Sequence, residues 1–141
     1  MSVSKHSAKT RETIQTPRAP SAIGTYSQAV KTESGRLVFI SGQIPLAPGG
    51  DPASADLVSA DFVAQAHQVF KNIEAVAEAG GGNINHCAKL TIYLTDLGQF
   101  ALVNEVMAQY FAEPYPARAA VEVSALPKGA QIESDAIMVL P

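Results

Sequence analysis

The order of elements along this chain predicts an α+β protein. It would be a two-layer sandwich in which a mixed six-stranded sheet carries two helices on one face. Two stretches repeat apolar residues every three or four positions, as amphipathic helices do. Six shorter stretches are β-branched or alternate apolar with polar residues, and Gly/Pro-rich turns separate them. The resulting order is β-β-β-α-β-α-β-β, and 141 residues suit one domain.

Residues 1–12, M-S-V-S-K-H-S-A-K-T-R-E, are polar and lack the apolar run of a secretory signal, so a disordered N-terminal tail is expected. The single domain is expected over 13–141. Ile14 to Thr16 predicts a short strand, and Pro17 to Gly24 is a connector rich in Pro, Ala and Ser. Tyr26 to Lys31 and Leu37 to Ile40 read as two strands of a hairpin, with Gly35 at the turn. Ser41 to Pro45 closes the second strand, and a Pro/Gly-rich loop follows to about Pro52.

Asp61 is placed to cap a helix from Phe62 to about Ala79, whose apolar stripe is Phe62, Ala66, Val69, Phe70, Ile73 and Ala77. Gly80-Gly81-Gly82 ends it. His86 to Leu94 is a β-branched run and predicts a strand. Thr95 or Asp96 would cap a second helix to about Phe111, burying Phe100, Val103, Met107, Tyr110 and Phe111. Pro114 and Pro116 hold the next segment extended, and a strand follows with Arg118, Ala120 and Glu122 on one face. A turn at Leu126–Gly129 leads to the last strand, Gln131 to Leu140. Two helices on one face leave the other sheet face without a cover, which a low charged fraction of 16% suggests is buried against copies of the chain.

Composition narrows the function. The net charge is −3, with no Lys/Arg cluster and no Trp, so nucleic acid is not an expected partner. No apolar run reaches the ~20 residues of a membrane span. The single cysteine, Cys87, fits a reducing, cytoplasmic setting and reads as a small buried residue. His6, His67 and His86 have no metal-ligand spacing, so no metal is expected, and His67 is placed on a solvated helix face. No nucleophile–base pair or phosphate-binding loop is evident.

Arg118 is the strongest candidate. A rigid, permanently charged fork between small alanines suits a carboxylate held by two hydrogen bonds. It could equally pair with Glu122 or Glu133 on a solvated face. Tyr26, Ser41, Asn104 and Asp135 stand at or near element ends, where binding groups gather, though each also has an ordinary structural role open to it.

Five blocks then carry a resemblance: I-G-T-Y-S-Q-A-V (Ile23–Val30), F-I-S-G-Q-I-P-L (Phe39–Leu46), Y-L-T-D-L-G-Q-F (Tyr93–Phe100), V-N-E-V-M (Val103–Met107) and Y-P-A-R-A-A-V-E-V-S-A-L-P-K-G-A (Tyr115–Ala130). Together they resemble the RidA (YjgF) family from about Thr13 to the end. The resemblance implies a chorismate-mutase-like fold, a homotrimer with ligand clefts between subunits, and no cofactor. It implies hydrolysis of enamine and imine intermediates, such as 2-aminoacrylate, 2-iminopropanoate and 2-iminobutanoate, to 2-oxo acids and ammonia. Arg118 would hold the substrate carboxylate, with backbone near Gly42 and Ala120 completing the cradle and Tyr26, Ser41 and Asn104 lining it. I-E-S-D-A-I matches the family's I-E-x-E-A-I, which gives the water-orienting role to Asp135, shorter than glutamate by about 1.5 Å. The family often has cysteine where Ala120 stands and proline where Thr25 stands. A non-catalytic trimer binding small carboxylates, and a ribonuclease cutting single-stranded RNA, are the alternative expectations.

Overall fold

A computed structural model describes residues 11–141, and the rest of the expected tail lies outside the described residues. Eight main elements follow in order: β1 (Arg11–Ile14), β2 (Ala29–Thr32), β3 (Arg36–Gln43), α1 (Phe62–Ala79), β4 (Cys87–Leu94), α2 (Phe100–Met107), β5 (Ala117–Glu122) and β6 (Ile132–Leu140). The element order is as predicted, and the two layers form an α+β fold. The sheet, however, is divided. Four strands run β3-β6-β4-β5, antiparallel except for the parallel β4–β5 pair, while β1 and β2 form a separate antiparallel ribbon. A parallel bridge between Ser27 and Ala117 links the two parts.

The strands depart from the sequence reading in their boundaries and in one pairing. Arg11 and Glu12, expected in the tail, belong to β1 and pair with Thr32 and Lys31. Tyr26 precedes β2, because Ser27 is already bonded to the Pro116 carbonyl beside β5 (3.0 Å). The β2–β3 segment is not a hairpin, since β2 pairs with β1 and β3 with β6. Gly35 serves close packing instead: a Cβ there would overlap the Leu140 carbonyl oxygen.

The helices follow their local signals. Asp61 Oδ2 accepts the Ala64 N–H at 2.9 Å, and α1 ends at Gly80. Its buried side adds Gln65 to the expected stripe, and that amide is satisfied by the Ser59 carbonyl and the Gln131 N–H, both at 2.9 Å. Asp96 caps a 3₁₀ turn, Leu97–Gln99, so α2 proper begins at Phe100 and is shorter than expected. His67 is half-buried rather than solvated, with Nδ1 2.8 Å from the Tyr110 hydroxyl.

Phe70, Ile73, Leu90, Ile92, Leu94, Met107, Ile132 and Met138 are fully buried between helices and sheet. Each such side chain stabilises the fold by roughly 1.5–3 kcal/mol. The opposite sheet face has no layer over it, and Phe39 (70% exposed), Leu37 (56%) and Val121 (41%) lie open.

Candidate ligand-binding site

The Pro-rich segment delivers the chain into β5, where Arg118 pairs in register with Leu90 of the core row and therefore faces the helices. Its guanidinium Nη1 donates to Asn104 Oδ1 (2.7 Å) and Thr25 Oγ1 (2.9 Å), with Met107 Sδ at 3.6 Å. The Tyr26 and Phe100 rings each lie with centroids 5.0 Å from Cζ, at cation–π distance. Neither Glu122 nor Glu133 pairs with Arg118: the one ion pair among the described residues is Lys31–Glu12. Glu122 instead accepts the Leu97 N–H at 2.9 Å. Burial pulls the Arg118 pKa down, partly offset by Tyr26, while leaving it charged at neutral pH. A half-buried cation without a counter-charge is suited to an anionic ligand.

Asn104 and Tyr26 thus lie against Arg118, and Ala120 lies one step along the same row, opposite Ile92. Gly24 allows the close approach, because a Cβ there would stand 3.0 Å from the Asn104 amide. Beside Tyr26, a cleft of about 500 Å³ opens between β1, the connector and the segment Glu113–Tyr115.

Asp135, Ser41 and Gly42 are elsewhere. Asp135 is opposite Thr91 on the uncovered sheet face, away from Arg118. Its Oδ1 accepts the Thr91 N–H at 3.2 Å and its Oδ2 the Tyr93 hydroxyl at 3.1 Å. Ser41 and Gly42 close β3 and line a hollow of about 330 Å³ with Phe39, Lys89, Thr91 and Asp135. Gly42 has no side chain because Glu133 occupies the space: a Cβ would overlap its carboxylate. Glu133 has a raised pKa, first from burial and then from the charge of Asp135. Burial and the Asp135 contact likewise raise that of Tyr93.

Sequence reasoning did not single out Thr25 as a partner of Arg118, or Glu133 as the perturbed acid. Glu133 was accessible to it, since alternation in I-E-S-D puts 133 and 135 on one face. Thr25 was not, being linked to Arg118 only by the fold. Among the described residues no group of three or more His, Cys, Asp or Glu could hold a metal. No helix there is long and apolar enough to cross a membrane.

Fold and site together define a small α+β protein with a half-buried arginine that has no acidic partner among the described residues. A family model described as Endoribonuclease L-PSP matches residues 16–140. The chain is 52% identical over 129 residues to Protein DfrA of Myxococcus xanthus, covering 92% of this chain and 95% of that one. It is 44% identical to the 2-iminobutanoate/2-iminopropanoate deaminase of Homo sapiens, covering 92% and 90%. The crystal structure of RidA from an Antarctic Psychrobacter is 51% identical, with a TM-score of 0.67 over 92% of this chain and 99% of that one. The chain belongs to the RidA (YjgF) family, also described as Endoribonuclease L-PSP.

Proposed function

We propose that this protein is a hydrolytic deaminase of small 2-imino acids and their enamine tautomers, converting 2-iminobutanoate and 2-iminopropanoate to 2-oxo acids and ammonia. The observation that carries the reading is Arg118, a charged group without an acidic partner, held between Tyr26, Phe100, Asn104 and Thr25. Identity of 44% to a relative named for this activity supports the reaction class.

Arg118 fixes the substrate carboxylate and so orients the neighbouring C=N carbon. A carboxylate of the Glu133/Asp135 pair takes a proton from water as its oxygen bonds to that carbon, and the C=N π electrons move to nitrogen. The nitrogen is protonated, the C–N bond breaks to release ammonia, and C=O forms. Asp135 already accepts two hydrogen bonds, whereas the raised pKa of Glu133 suits it to the transfer, so both belong to the water-handling group. An imine is activated enough that the scheme needs no cofactor.

Arg118 and this acid pair are on opposite sheet faces of one chain, so the scheme calls for a neighbouring copy to complete each cleft, in the homotrimer that the family resemblance implies. Arg118→Ala is expected to abolish acceleration of 2-iminobutanoate hydrolysis in an assay fed by a threonine dehydratase. A wild-type rate would sink the proposal.

The same separation favours a second reading, a binder of small carboxylates that uses Arg118 and never needs Asp135. Binding of 2-oxobutanoate without turnover of any imino acid would select it. A ribonuclease reading draws only on the family's description, and 10 Lys and Arg against 13 Asp and Glu give the chain a net negative charge that disfavours RNA.

A further inference from the structure

We infer that Thr25 is a positioning residue that fixes which donors of Arg118 are presented to the ligand carboxylate. The inference rests on the carboxylate-binding role given to Arg118 above. Nη1 carries two hydrogens. Their two oxygen acceptors are Thr25 Oγ1 at 2.9 Å and Asn104 Oδ1 at 2.7 Å. The Thr25 hydroxyl then points its own proton at Asn104 Oδ1, also at 2.9 Å, closing a three-membered ring of hydrogen bonds. The Thr25 N–H approaches the same oxygen at 3.4 Å, a weaker contact. Thr25 is buried, 7% exposed, so water does not readily replace its hydroxyl.

The consequence is a division of labour within one guanidinium. Nη1 is consumed by the protein, and Tyr26 and Phe100 flank the group. The Nη2 and Nε hydrogens have no partner among the described residues. That edge presents two parallel N–H groups, the fork a carboxylate accepts bidentately. Without the Thr25 hydroxyl one Nη1 hydrogen is left with only the weak Met107 sulfur at 3.6 Å, and rotation toward a better acceptor misaligns the fork. The family that the chain resembles often has proline at this position, and proline has neither a hydroxyl nor an N–H. The clamp is therefore a property of this chain's own residue at position 25.

The test compares Thr25→Val, which keeps the shape, Thr25→Ala, which is small enough to fold if valine is not tolerated, and Thr25→Ser, which keeps the hydroxyl. Steady-state hydrolysis of 2-iminobutanoate and calorimetric binding of 2-oxobutanoate are measured on each. KM and the 2-oxobutanoate Kd are expected to rise together on the order of tenfold in the Val and Ala variants, and serine is expected to restore both. Wild-type KM and Kd in Thr25→Val and Thr25→Ala overturn the role of Thr25 while leaving the Arg118 reading intact. A fall in kcat alone also overturns it. A wild-type protein that binds no 2-oxobutanoate and turns over no imino acid removes the Arg118 reading and this inference together.

Discussion

Glu133 and Asp135 stand two residues apart on one strand face, and their surroundings give them different work. Asp135 is tied to Thr91 and Tyr93, while Glu133 lies over Gly42 with its pKa raised by burial and by Asp135. If Glu133 transfers the proton, Glu133→Gln should lower kcat by roughly a hundredfold or more, and Asp135→Asn by less. The wild-type rate should fall on acidification with an apparent pKa above the ordinary glutamate value of about 4.3. Stability should move the other way. Ionising Glu133 costs more in the folded chain than in the unfolded one, so the cost is absent below the ordinary value and complete above the raised one. Glu133→Gln should therefore match wild type in thermal melts near pH 4 and exceed it at higher pH. Cys87 is shifted in the same direction: burial pushes its thiol up to about 12 despite Arg11. It should resist iodoacetamide in the native protein at pH 8 and react stoichiometrically in denaturant, as mass spectrometry would record.

At the scale of elements, what could be read from the sequence was what is encoded locally. Asp61, the three- and four-residue stripe and Gly80–Gly82 delimit α1 because each acts within a turn of where it stands. The same holds for Asp96 before α2, although a 3₁₀ turn shortens that helix. Strand pairing is not local, and there the reading erred. Gly35 between two strand-like runs looked like a hairpin turn, yet its absent side chain makes room for Leu140, more than a hundred residues away. Gly35→Ala should consequently loosen the β3–β6 pair, costing on the order of 2 kcal/mol in denaturant melts. A harmless substitution would mean that the backbones separate easily. The site divides in the same way. Arg118 stood out because a fixed cation among alanines is conspicuous in sequence. Its clamp was invisible, because Thr25 lies 93 residues from it along the chain.

For the molecule as a whole, the uncovered sheet face poses one physical problem and its solution bears on function. Phe39, Leu37 and Val121 are open to water in a single chain, on the same side as Asp135 and Glu133. Burying such side chains is favourable by roughly 25 cal/mol per Å², so association through this face is expected. On the proposed mechanism a neighbouring copy must also supply the carboxylates that a lone chain holds away from Arg118. Phe39→Asp places a charge in that contact without touching Arg118 or its clamp. Sedimentation equilibrium of the wild type should give the mass of three chains, and Phe39→Asp that of one. If the clefts are shared between copies, the monomeric variant should keep its native circular dichroism and lose deaminase turnover. A folded Phe39→Asp monomer with full kcat would mean that one chain suffices, and that the carboxylates on the open face take no part in the reaction.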